Sequence, residues 1–142
     1  MRFMIIVKAT PEADAAAAMP TEAEMATMAD YHEQLAKAGV LLDAAGLHPT
    51  ARGWRVGYDA QGRKRVLDGP FAETKEHVAG YTLIQVRSAE EALEWSRRFP
   101  SPFPGHDCHI EVRQLFEAED FTPGDAVERF KAIDVLARTT HH

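Results

Sequence analysis

The sequence predicts an α+β domain in which a mostly antiparallel sheet carries helices on one face. Three observations predict it. Short apolar runs rich in β-branched or aromatic residues recur along the chain, in "FMIIV", "VLLDAAGL", "GYTLIQV" and "IEVRQLF". Two segments, "TEAE" and "SAEE", carry the reciprocal pattern that opens helices. The order that results is β-α-β, hairpin, β-α-β, then a tail helix. Two such halves with helices on one face make a ferredoxin-like sandwich, here with an extra β-hairpin and a C-terminal helix. A chain of 142 residues is long enough for one domain with a real core.

Each element has its own reason. Phe3 to Val7 is a short apolar run and reads as the first strand. Thr10 to Pro20 is Ala-rich and bracketed by prolines, so it reads as a loop. Thr21 caps the first helix, with Glu24 three residues on, and Gly39 supplies the left-handed stop after about Ala38. "VLLDAAGL" is the second strand. Trp54 to Tyr58 and Lys64 to Leu67 are the arms of a hairpin turned by "DAQG". "ETKEHV" has the composition of a single helical turn. "GYTLIQV" is a further strand. Ser88, with Glu91 at the third position, opens a helix that ends before Pro100. "SPFPGHDCH" is a loop and "IEVRQLF" the last strand. Thr122-Pro123 starts a tail helix whose Val127, Phe130, Ile133 and Leu136 form one apolar stripe. Residues 1–121 are expected to form the domain and 122–142 a helical tail.

Composition excludes several classes. The net charge of −6 disfavours a general nucleic-acid binder, which needs a phosphate-neutralising surface. The single cysteine, Cys108, allows no intrachain disulfide and fits a reducing compartment. No apolar run approaches a membrane span, and the start lacks the pattern of a signal peptide. A cytoplasmic protein without membrane or nucleic-acid partners is expected. There is no Gly-rich phosphate loop and no dinucleotide fingerprint, and no cofactor is expected.

The second face of the sheet is half polar. Ile110, Val112, Gln114 and Phe116 alternate with Glu111, Arg113 and Leu115, and Thr82, Ile84 and Val86 alternate with Tyr81, Leu83 and Gln85. Such a mixture suits a face that packs on a partner and lines a wet cavity, so a homodimer with the sheets face to face is expected.

The stretch "DGPFAETKE", residues 68 to 76, stands out. With "MIIVKAT", "YHEQLAKAGVLLDAAGL", "AGYTLIQV", "EALEWSRRFP" and "IEVRQLFE", it resembles the YCII-related superfamily, in the branch named for its "DGPF" motif. The resemblance covers residues 1 to about 121. It implies a ferredoxin-like fold and a dimer of the dimeric α+β-barrel type. It also implies a His and an Asp together in a pocket, with the histidine of the first helix mapping to His32. Most members of the branch have no established activity, and many lie near genes for extracytoplasmic-function sigma factors. The "GHDCHI" loop departs from the acidic, Gly-rich loop of the family.

Five residues are the site candidates. His32 shares a helical stripe with Met25, Met28, Leu35 and Gly39, so it faces the sheet. It is either a core-edge histidine bonded to a backbone carbonyl or a working acid-base group. Asp68 either caps the Gly69-Pro70 turn or presents a rigid carboxylate that orients an imidazole. Asp43, on the second strand, competes with Asp68 as the partner of His32. Arg113, near Gln85, either clamps a substrate carboxylate or pairs with Glu111. A His32/Asp68 pair suits cofactor-free proton abstraction beside a carbonyl, in an isomerase or lyase acting on an unknown small molecule. A non-catalytic ligand-binding or regulatory module, linked to a sigma factor, is the alternative, and a structural dimer with a vestigial pocket is the third reading. Phe71 is expected to pack inward as the motif's anchor, with Glu73 to Glu76 a polar turn. Tyr31, Trp54 and Tyr81 read as packing residues. "HDCH", residues 106 to 109, has ligand types but no zinc spacing, so no metal is expected. The basic hairpin (Arg52, Arg55, Arg63, Lys64, Arg65) reads as a solvated surface or a face for an acidic partner.

Overall fold

The first apolar run becomes a central strand. In the computed structural model, which describes residues 1–11, 13, 19–72 and 76–133, β1 (Arg2–Lys8) lies between β5 (Val78–Gln85) and β6 (Ile110–Gln114). β2 (Leu41–Gly46) adds at the far side of β5, so the order is β2-β5-β1-β6 and every pairing is antiparallel. This is the strand order of the ferredoxin-like plan. β3 (Trp54–Tyr58) and β4 (Lys64–Asp68) form a separate two-stranded antiparallel sheet.

Local chemistry starts and stops the helices. In α1 (Glu22–Lys37) the Glu24 amide donates to Thr21 Oγ1 at 3.1 Å, and the Glu24 carboxylate accepts from the Thr21 amide. Gly39, at φ 74, takes the left-handed turn that ends it. In α2 (Ala89–Arg97) the Glu91 amide donates to Ser88 Oγ, but the Glu91 carboxylate accepts from Arg87 rather than from the cap itself. The reciprocal bond has moved back one residue.

The core lies between these helices and one face of the sheet. Phe3, Ile5, Ile84 and Val86 meet Tyr31 and Leu35 of α1 and Ala92 of α2, with Trp95, Phe99, Ile110 and Val112 packed around them. Ile5, Leu35 and Ile84 are fully buried. Each is worth about 1.5–3 kcal/mol of transfer free energy. The buried line of α1 runs through Tyr31 and Leu35, whereas Met25 is 53% exposed. The stripe is therefore rotated from the one expected, and the Tyr31 hydroxyl donates to the Trp95 carbonyl at 2.7 Å to join the two helices.

The last strand is shorter than expected. It ends at Gln114, and Phe116, expected on the packed face, is 67% exposed and stacks on Phe121 at 5.0 Å. Just past it, buried Arg2 donates from Nε to Glu117 at 2.8 Å. Beyond it, α3 (Asp125–Ala132) leaves Phe130 and Ile133 largely exposed, so these side chains are not packed on the sheet. Leu136 lies outside the described residues, as do residues 73–75 of the polar turn and most of the Ala-rich loop.

Candidate functional site

The "DGPF" corner is built around glycine. A Cβ on Gly69 would collide with the Thr50 carbonyl, so no other residue fits without movement. The Gly69 amide donates to the Gly53 carbonyl at 2.9 Å and the Phe71 amide to Thr50 Oγ1 at 3.2 Å, which clips the corner to the segment preceding the hairpin. Phe71 is half-buried rather than a core residue. The Arg55 guanidinium covers its ring at 3.9 Å, and the buried His77 ring meets it edge-on at 6.3 Å. Asp68 pairs with Trp54 across the hairpin and its residue is exposed.

His32 is held between α1 and the sheet. Its Nδ1 lies 2.7 Å from the Met28 carbonyl and its Nε2 2.8 Å from Thr82 Oγ1, where Thr82 is 2% exposed. A carbonyl only accepts, so Nδ1 carries the proton in that bond, and the Thr82 hydroxyl, which can donate or accept, meets Nε2. Both nitrogens are thus engaged, and neither Asp68 nor Asp43 is the partner of either bond. The expected backbone-bonded histidine at the core edge is what the geometry shows, with Thr82 as a second partner that the sequence did not disclose. Two shallow depressions lie away from His32: one passes Gly39, Val40, Gln85 and Arg87, the other Gln114, Phe116 and Asp120.

The other candidates gather on the opposite face of the sheet. Register places Asp43, Leu83, Met4 and Arg113 in one row across the four strands, and Ala45, Tyr81, Ile6 and Glu111 in the next. Residues paired this way share a face, and it is the face away from α1 and α2. Gln85 follows in line beside Arg2. The centre of the face is apolar, with Leu83 7% exposed; Asp43 stands at its β2 edge and both Arg113 and Glu111 at its β6 edge. Three strand spacings separate Asp43 from Arg113, about 14 Å. Arg113 meets Glu111 at 3.4 Å with both side chains largely exposed, which is a weak pair. Asp43 does more. Its Oδ2 accepts from the Tyr81 hydroxyl at 2.8 Å, and this bond holds the phenol above its ordinary range. The Gln85 Oε1 is buried, with no hydrogen-bond partner among the described residues.

Tyr81 was read as a packing residue. Alternation puts it on the open face, but only the pairing of β2 with β5 brings it to Asp43. His77, 4% exposed, sits in a stretch read as a helical turn. Cys108 makes only long contacts, to Ser101 and the Phe103 carbonyl, and His106, Asp107 and His109 are exposed. Among the described residues no three His, Cys, Asp or Glu side chains are grouped to hold a metal ion, and no helix is long and apolar enough to cross a membrane.

Residues 1–118 match the YCII-related domain family. The chain belongs to the YCII-related family. An uncharacterised protein of Rhizobium meliloti (strain 1021) is 36% identical over 94 residues, which is 66% of this YCII-related chain and 74% of the relative. Among solved structures, 5-chloro-2-hydroxyhydroquinone dehydrochlorinase (TftG) from Burkholderia phenoliruptrix AC1100, in complex with 2,5-dihydroxybenzoquinone, is similar at 14% identity. The likeness covers 84% of this chain and 98% of that one, with a TM-score of 0.46. At that distance no reaction is carried from it to this YCII-related domain. The tail that contains α3 lies beyond the family match.

Proposed function

We propose that this YCII-related chain, a member of the DGPF branch, binds a small molecule on the open face of its four-stranded sheet, and that a homodimer closes the site. The observation that carries the reading is the hydrogen bond between Tyr81 and Asp43 on a half-apolar face. The Asp43 carboxylate is a base, and the Tyr81 hydroxyl, whose one proton goes to Asp43, accepts from a ligand hydroxyl or, on turning away from Asp43, donates to a carbonyl or enolate oxygen. Leu83, Met4 and Ile6 offer the apolar floor, and Gln85 an acceptor. The fitting ligand is a small, largely apolar molecule bearing a carbonyl or hydroxyl group. The chemistry is cofactor-free proton transfer of the isomerase or lyase kind, with the Asp43–Tyr81 pair in the role that His32 and Asp68 were expected to fill.

A non-catalytic form of this reading is favoured by His32, whose two nitrogens are both committed to the fold. One experiment separates the two. A panel of small enolisable ketones and hydroxy-aromatics is screened by thermal shift against wild type and Asp43→Asn, and any stabilising compound is followed by NMR in D2O. Stabilisation lost in the variant supports the site. Deuterium uptake at the carbon beside the carbonyl, also lost in Asp43→Asn, supports catalysis, and binding without uptake supports the binding module. Compounds that stabilise both proteins equally would place the site elsewhere.

A further inference from the structure

Two polar side chains stand side by side at one end of the open face, and neither is fully used. Arg2 lies directly opposite Gln85 in the β1–β5 register. Met1 and Val86, one position away, exchange both backbone bonds. Arg2 and Gln85 are therefore a non-hydrogen-bonded pair, the kind whose side chains lie closest. Arg2 is 5% exposed. Its Nε donates to Glu117, and among the described residues its Nη1 and Nη2 make no hydrogen bond. The Gln85 Oε1 is buried and likewise has no partner among the described residues. Donors and acceptors taken out of water cost folding free energy when they stay unpaired. The next pair on the same face is Met4 and Leu83, so two apolar residues would have continued the floor without that cost.

The unused groups define a ligand. Nη1 and Nη2 form the edge of a guanidinium that takes a carboxylate through two parallel bonds. Glu117 engages Nε alone, which leaves those donors uncommitted. Leu115 bonds across to Arg2, so Arg113, opposite Met4, is the diagonal neighbour of Arg2 and sets a second positive charge about 7–8 Å away. The Gln85 carboxamide calls for a small polar group beside the carboxylate. A hydroxyl serves whichever way the amide is turned, because it donates to oxygen or accepts from nitrogen. An ammonium would bury N–H groups that one oxygen cannot satisfy. Gln85 also lines the depression of about 480 Å³ that passes Gly39 and Arg87, so there is space beside the carboxamide. We infer that Arg2 and Gln85 anchor a 2-hydroxy acid, its carboxylate on the Arg2 fork and its hydroxyl on Gln85. The apolar remainder lies over Leu83 toward Asp43 and Tyr81. The inference rests on the open-face site proposed above and names the class of its ligand.

Four probes and two variants test it. Mandelate carries both groups. Phenylacetate lacks the hydroxyl, methyl mandelate lacks the charge, and phenylglycine has an ammonium in place of the hydroxyl. Each is titrated calorimetrically into the whole chain. Mandelate is expected to bind, and the other three to bind at least about tenfold more weakly, the worth of one charge-assisted or buried hydrogen bond. Gln85→Met removes a buried unpaired group. It is expected to raise the urea midpoint without ligand and to lose the preference for mandelate over phenylacetate. Arg2→Lys keeps a charge beside Glu117 but removes the fork, and is expected to weaken mandelate at least about tenfold while leaving methyl mandelate unchanged. A Gln85→Met protein that is less stable than wild type and binds mandelate equally well overturns the anchor. So does a wild type that binds neither mandelate nor 2-hydroxyisocaproate. In both cases ketones whose binding still depends on Asp43 leave the open-face site standing. Mandelate binding that needs Arg2 and Gln85 but survives Asp43→Asn keeps the anchor and removes the Asp43–Tyr81 site.

Discussion

Replacing Thr82 by Val tests whether His32 is a structural bond or an idle acid-base group. The substitution keeps shape at a position only 2% exposed and removes the hydroxyl 2.8 Å from His32 Nε2. A buried acceptor left without a partner costs about 1–3 kcal/mol. His32 is half-buried, so water reaches it in part, and the cost falls to about 1–2 kcal/mol. Thr82→Ser keeps the bond and loses one methyl group, at about 0.8 kcal/mol. The two costs lie close together, so the decisive quantity is the coupling. Urea unfolding of Thr82→Val, His32→Leu and the double variant gives a cycle in which the bond appears as a coupling of about 1 kcal/mol. Sites that do not interact add to within about 0.3–0.5 kcal/mol. A coupling of that size, or a Thr82→Val protein as stable as wild type, would show that Nε2 does not depend on Thr82. His32 would then be free for the acid-base role that the sequence suggested.

Three further outcomes are expected. Burial pushes the Tyr31 hydroxyl up to about 12, against a smaller opposing effect of Arg98. Below pH 10 both states keep the phenol protonated. Above it the unfolded tyrosine ionises first, so stability present at neutral pH is lost as pH rises from about 10 to about 12, by about 2–3 kcal/mol. Urea midpoints at pH 9 and pH 11 should differ in wild type and differ less in Tyr31→Phe. Gly69→Ala forces a methyl group against the Thr50 carbonyl and should cost at least about 2 kcal/mol, read as a lower midpoint. An unchanged midpoint would mean that the clip to Thr50 is slack. Phe71→Ala should cost about 2 kcal/mol, below the 3–5 of a fully buried ring, because Arg55 and His77 cover Phe71 only in part. A loss of 4 kcal/mol in calorimetry would return Phe71 to the core.

What the sequence determined by itself was local. The Thr21 cap reads out because donor and acceptor are three residues apart, and the left-handed Gly39 because the penalty at positive φ belongs to the residue. The order of strands and helices, and the two faces of β5 and β6, follow from a side-chain period of two that neighbours alone define. The tertiary structure decided whatever joins distant residues. Arg2 reaches Glu117 across 115 positions, and Phe116 next to it lies exposed. His32 meets Thr82 across 50 and Tyr81 meets Asp43 across 38, on opposite faces of the sheet. No periodicity encodes such pairs. They exist only once register sets which residue of β2 lies beside which of β5, and a shift of one residue would send every one of these side chains to the other face.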